Sequence, residues 1–191
     1  MFKPAICLLG LLFLPATAMA TPATKLRVCV NYDCRGQAQI GLSPAQWRQL
    51  ARLFPRSLNT PAKERRQIAQ AIGLLERMVG KLTGTAKDQP RNQATGEPGQ
   101  LDCVAESRNT ERYLKALQER GWLRFHRLRE RARRAPMIID THWTAVIQET
   151  ASGQRYAVDS WFRANGKPAL VMPLEDWYAK KERLIGNDPG S

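Results

Sequence analysis

The chain has 191 residues, about one domain by length, with 30 Lys and Arg against 17 Asp and Glu and a net charge of +13. That balance favours anionic surroundings such as cell-wall polymers, acidic proteins or membrane surfaces, and it does not define a fold. Two histidines and one cysteine left outside the simplest disulfide make no convincing zinc set, and no glycine-rich phosphate loop is present, so neither metal nor cofactor is expected.

Residues 1–20 read as a secretory signal peptide: Lys3, then an apolar run from Ala5 to Leu14, then Ala18-Met19-Ala20. The run is too short to span a bilayer, Cys7 lies too early in it for a lipid-attachment site, and nothing later is long and apolar enough for a membrane helix. The mature chain is expected to begin near Thr21 and to lose one lysine and no acid, leaving +12. Residues 21–185 then form one domain, in the periplasm or outside the cell, followed by a loose tail from Gly186. An exported protein rarely meets nucleic acid as a designed target. Three cysteines remain, and Cys29 with Cys34 is the simplest disulfide for an oxidising compartment, worth about 2 kcal/mol by chain entropy. Cys103 is then left over, as an intermolecular link or a reactive thiol.

Residues 26–40 look extended, with β-branched residues around the two cysteines. Ser43-Pro44 starts a helix with Trp47, Leu50 and Phe54 as its apolar stripe, and Pro55 stops it. Thr60-Pro61 repeats the signal. Ile68, Ile72, Leu75, Val79 and Leu82 then mark an amphipathic helix whose other face carries Lys63, Glu64, Arg65 and Arg66. Residues 83–101, rich in Gly, Pro, Asn and Gln, form a long loop leading to Cys103. A third helix is expected from Cys103 to Arg120, stopped by Gly121. Cys103, Thr110, Leu114 and Leu117 fall within about 40° on its core face.

A strand over 122–128 is expected next, followed by a basic run to Arg134 that reads as a solvated face or a docking surface for an anionic partner. His126, among arginines, reads as a surface residue. His142 to Glu149 and Arg155 to Trp161 read as paired strands turning at Ser152-Gly153, and Leu174-Glu175-Asp176-Trp177 starts a last short helix. Helices followed by strands predict an α+β domain with the helices packed on an antiparallel sheet.

A thiol attacks as thiolate, which a helix N-terminus and a neighbouring imidazole both favour. His142 heads one strand and Asp159 lies on its partner. The sum of their numbers is odd, so any hairpin with an even loop puts them on one sheet face. The tightest turn leaves them too far apart. A four- or six-residue loop centred one residue earlier pairs His142 with Trp161 and makes Asp159 a diagonal neighbour. The expected roles are Cys103 as nucleophile, His142 as base and Asp159 as the group orienting the base.

Asp102-Cys103, His142-Trp143-Thr144-Ala145-Val146-Ile147 and Tyr156-Ala157-Val158-Asp159-Ser160-Trp161 together resemble the transglutaminase-like branch of the papain-like superfamily, in particular the bacterial transglutaminase-like cysteine proteinases. The resemblance covers roughly residues 100–162. It implies an exported cysteine peptidase with a papain-like fold, a Cys-His-Asp triad at Cys103, His142 and Asp159, and a thioester acyl-enzyme. Its oxyanion hole would pair the backbone N–H at the nucleophile with a second donor, Gln100 or a backbone group of the preceding loop. Val104-Ala105 stand where those proteinases carry acids, which counts against any calcium requirement tied to them. The substrate would be a protein or a peptidoglycan stem peptide. Two rival readings remain: a cell-wall amidase or endopeptidase on a papain-like core, and a non-catalytic binding or adaptor module. Trp143 and Trp161 read as core aromatics, although one could wall the thiol site.

Overall fold

The computed structural model describes residues 25–92, 97–135 and 141–182. The expected signal peptide and C-terminal tail lie outside these residues.

Among the described residues the protein is α+β, with an N-terminal hairpin, four α-helices and a four-stranded antiparallel sheet. Strand β1 (Lys25–Cys29) pairs antiparallel with β2 (Gln37–Gly41). The stretch expected to be simply extended is therefore a hairpin. A short 3-10 turn at Tyr32–Cys34 brings the cysteines together, and Cys29 and Cys34 are disulfide-bonded.

Helix α1 (Pro44–Ala51) opens on a complete capping box: Ser43 Oγ accepts from Gln46 N–H, and Gln46 Oε1 accepts from Ser43 N–H. It ends before Phe54, which is nevertheless buried. Helix α2 (Pro61–Thr83) starts at the Thr60 cap and stops at Gly84 with φ +83°. Ile68, Ile72, Leu75 and Val79 are buried as their spacing predicts. Leu82 is not: it is 55% exposed, because the last turn of α2 runs past the edge of the core. Helix α3 (Cys103–Glu119) is capped by Asp102, whose carboxylate accepts from Ala105 N–H, and it ends ahead of Gly121 at φ +69°. Thr110, Leu114 and Leu117 are fully buried.

The sheet consists of β3 (His126–Arg134), β4 (His142–Glu149), β5 (Arg155–Asp159) and β6 (Leu170–Pro173), in that order. A short helix α4 (Leu174–Tyr178) follows. Ala145, Ile147, Tyr156 and Val158 pack with α2 and α3, while Val146, Ala157, Met172 and Trp177 form a second core on the opposite face.

Three expectations need correction. The third strand lies over the basic run itself, four residues later than expected. It is an edge strand, paired only with β4, where charged side chains also discourage further pairing. His126 is not on the surface: it is 1% exposed. Glu64 leaves the charged face of α2 and is fully buried. It accepts from the backbone N–H groups of Arg124 (2.7 Å) and Phe125 (3.0 Å) and from His126 Nδ1 (2.7 Å). Arg65 donates to Glu149 Oε2 at 2.8 Å and lies 3.2 Å from His126 Nε2, so that nitrogen accepts and the tautomer is set. One buried carboxylate thus satisfies the whole entry to β3. Glu64→Ala orphans three donors and is expected to lower stability by about 3 kcal/mol in urea titration. A loss below about 1 kcal/mol would show that water replaces the carboxylate without cost.

Candidate active site

The site begins with a local consequence of capping. Asp102 uses its side chain on Ala105 N–H and Asp33 N–H, which fixes the first turn of α3. Cys103 is then the first residue of that helix, half-buried and the one free cysteine among the described residues. The N–H groups of Cys103 and Val104 have no hydrogen-bond partner among the described residues, as the first turn of a helix leaves them.

The β4–β5 register is Ala145 with Val158, Val146 with Ala157, Ile147 with Tyr156 and Gln148 with Arg155. Continued outward, it sets His142 opposite Trp161; at the other end Glu149 N–H donates to the Gln154 carbonyl at 2.9 Å, leaving Thr150 to Gly153 as a four-residue turn. This is the wider turn that the His142–Asp159 pair requires. His142 Nε2 lies 2.8 Å from Asp159 Oδ2, and both residues are nearly enclosed, at 4% and 2% exposure. The Cys103 thiol points at the Thr141 carbonyl oxygen, 3.9 Å away, directly before His142 in the chain. His142 Nδ1 is buried without a hydrogen bond of good geometry, and it is the ring nitrogen left for the thiol.

Burial alone would pull the imidazole toward its neutral form. The Asp159 charge and hydrogen bond, and then the hydrogen bond and charge of Cys103, outweigh that, raising its pKa to about 9. The ring is boxed by aromatic rings, with centroids 4.6 Å (Trp161), 5.1 Å (Phe162) and 5.5 Å (Trp177) away.

No local pattern in the chain points to the support beneath Asp159. Trp177 Nε1 donates to the same Oδ2 at 2.8 Å, so one carboxylate oxygen accepts from both rings. Trp177 is itself held by Arg134, whose guanidinium lies 4.4 Å from the indole ring and donates to the Trp177 carbonyl. Arg134 is paired in turn with Glu182 at 2.6 and 3.0 Å. The last residue of the basic run is thus buried beneath the site.

Gln100 lies in the loop before Cys103 with both ends of its amide in use. Its Oε1 accepts from Gln89 N–H at 3.0 Å and from Asn92, and its Nε2 donates to the Lys87 carbonyl at 3.0 Å. It braces the loop, and the free donors beside the thiol are the N–H groups of Cys103 and Val104. Trp161 packs on the His142 ring and donates from Nε1 to the Asn92 carbonyl, tying that loop to the site. Trp143 lies on the other sheet face, under the Arg131 guanidinium at 4.8 Å.

Behind the triad lies a second group that the sequence did not disclose. Ser160 Oγ donates to Glu106 Oε2 at 2.6 Å and lies 3.0 Å from Thr110 Oγ1. Glu106, Glu76 and Asp88 are all buried. Burial is the main cause that raises all three carboxyl groups, and Glu76 reaches about 8. The group joins the first turns of α3 to the end of β5. Asp88 also accepts from Leu101 N–H at 2.8 Å, and Glu76 from Gly166 N–H at 3.0 Å. Among the described residues, no group of three or more His, Cys, Asp or Glu has the arrangement to hold a metal ion.

Between the ordinary carboxyl value of 4.5 and about 8, folded Glu76 binds a proton that the unfolded chain has released. Its contribution is complete below 4.5 and erodes as pH rises to about 8. His142 acts in the same direction, since its folded value near 9 lies above 6.5 and its contribution is lost through pH 9. The melting temperature is therefore expected to fall from pH 6 to pH 9 in thermal scans, with a shallower slope in Glu76→Gln. A melting temperature rising over that range would contradict the assignment.

The chain matches no protein-family model, no curated protein and no solved structure. Among the described residues, no helix is long and apolar enough to cross a membrane.

Proposed function

We propose that the protein is an exported thiol hydrolase of the transglutaminase-like, papain-like type, cleaving an amide bond through Cys103, His142 and Asp159. The observation that carries this reading is the buried His142–Asp159 contact at 2.8 Å beside a half-exposed thiol at a helix N-terminus. A structural thiol needs neither neighbour.

In the proposed reaction the Cys103 proton passes to His142 Nδ1, leaving a thiolate beside an imidazolium that Asp159 stabilises. The sulfur attacks the amide carbonyl, and the first-turn N–H groups of α3 face the developing oxyanion. His142 returns its proton to the departing amine, leaving a thioester. Water, deprotonated by His142, attacks the thioester and frees the acid and the thiol. We take hydrolysis over amine transfer, since water reaches a partly exposed thiol without a second binding site. A disulfide between Cys29 and Cys34 accords with export.

The test is active-site trapping. The purified chain is incubated at neutral pH with iodoacetamide, and the alkylated residue is located by mass spectrometry. Preferential labelling of Cys103, blocked by an amide substrate that forms a thioester, supports the reading. A Cys103 that labels no faster than in denatured protein removes it.

A further inference from the structure

Beside the thiol, on the α3 side of the sheet, stands a row of arginines that the triad does not use. Arg131 reaches from β3 to α3, where it donates to Ser107 Oγ at 3.0 Å and pairs with Glu111 at 3.5 Å. Ser107 is one helical turn beyond Cys103 on the same face, so their Cβ atoms are about 5–6 Å apart. Arg133 donates to Thr141 Oγ1 at 3.3 Å, and the Thr141 carbonyl is the oxygen 3.9 Å from the Cys103 sulfur. Two guanidinium groups therefore touch residues next to the nucleophile, one through Ser107 on α3 and one through Thr141 before β4.

More positive charge gathers further along α3, beside β1. Burial, then repulsion from Arg108 and Arg27, weaken the hold of Arg112 on its proton, and Arg131 adds to the repulsion. Glu111 partly offsets that repulsion. Among the described residues Arg27, Arg108 and Arg133 have no acidic partner, and Arg27 and Arg133 are exposed. So much like charge along one face costs stability unless an anion arrives to meet it.

We propose that this row is the specificity surface of the hydrolase and takes an acidic polypeptide, with carboxylate side chains two residues apart lying against Arg131 and Arg133. The inference rests on the function proposed above. Arginine presents a planar fork that matches a carboxylate. Residues two apart on a strand are about 6.6–6.8 Å apart, and an extended polypeptide beside β3 repeats that spacing, whereas a glycan polymer does not. The Trp143 ring beneath Arg131 supplies an apolar floor.

The test uses the full mature chain and two probes of Cys103, neutral iodoacetamide and anionic iodoacetate. The iodoacetate to iodoacetamide rate ratio should fall about tenfold in an Arg131→Gln, Arg133→Gln double variant, the lower end of electrostatic steering. It should not change in Arg127→Gln, at the far end of β3. An equal fall in Arg127→Gln would assign the effect to overall charge and overturn the proposal. A pentapeptide with glutamates at its second and fourth positions should protect Cys103 from iodoacetamide, while its glutamine analogue should not. Protection by a peptidoglycan stem peptide on its disaccharide, but not by the glutamate peptide, would also overturn it. If Cys103 proves unreactive, the thiol-hydrolase reading fails separately. Fluorescence anisotropy of a dye-labelled glutamate peptide still reads the surface: binding weakened by the double variant supports it, and no binding refutes it.

Discussion

Cys103→Ala is expected to remove amide cleavage by on the order of 10⁴-fold or more, with the fold intact. The sulfur is the one free thiol among the described residues, and no other group at the start of α3 can form the thioester. The cap survives, because Asp102 and its Ala105 contact do not involve the thiol, so the melting temperature should barely move. His142→Ala should cost nearly as much, since without the ring no group takes the thiol proton or returns it to the leaving amine. The double variant should be no worse than either single one, because the pair acts as a unit. Turnover of any amide that the wild-type protein cleaves, measured alongside iodoacetamide labelling, checks all three. Cleavage persisting in Cys103→Ala would end the thiol-hydrolase reading. A double variant worse by the product of the single losses would mean that the two residues act independently.

Trp177→Ala is expected to have the largest effect on stability. Deleting a fully buried tryptophan costs about 3–5 kcal/mol through lost transfer energy and the cavity left behind. The buried Asp159 carboxylate loses a charge-assisted hydrogen bond as well, about 1.5–3 kcal/mol more. Trp177→Phe separates the two terms, since it keeps most of the ring volume and removes only the N–H. Its expected loss is about 2 kcal/mol.

The chemical role of that N–H appears in combination with Asp159→Asn. With Trp177 present, the indole N–H needs an acceptor where Oδ2 now sits, so the asparagine oxygen is held toward both rings. His142 keeps its orientation, and its pKa falls from about 9 toward the ordinary 6.5, because the charge that raised it has gone. With Trp177→Phe added, the amide is free to turn its NH2 toward His142 and displace the ring. The double variant should then lose more activity than the sum of the singles, by about 0.5–3 kcal/mol of coupling. Turnover and NMR titration of the histidine rings measure this, and additive losses would mean that Trp177 only fills space.

The elements that local chemistry dictates were legible from the sequence. Ser43-Pro44 and Thr60-Pro61 start helices where capping requires, Gly121 closes α3, and His142–Glu149 is the strand its pattern predicts. The parity of 142 and 159 put both side chains on one face, because side chains alternate with a period of two. The errors fell where tertiary contacts override pattern. Glu64, on the charged face of its helix, is buried because backbone N–H groups from a distant segment meet it, and Glu76 and Glu106, for which the sequence offers no signal, are buried for the same kind of reason. His126 looks exposed among arginines and is buried because Glu64 lies opposite it. Strand β6 is too short to show any period.

The sequence by itself determined the leftover thiol, its place at a helix start, and the order Cys103, His142, Asp159, since each follows from spacing and capping within a short stretch of chain. Only the tertiary structure decided that Trp177 and His142 share one oxygen of Asp159, and that Arg134 and Glu182 hold Trp177 from below. It also decided that Arg131 reaches Ser107 and Arg133 reaches Thr141 while Gln100 braces a loop. These arrangements join residues far apart in the chain, and which donor meets which acceptor is set by how helices and sheet pack, a choice that residue type and local period leave open.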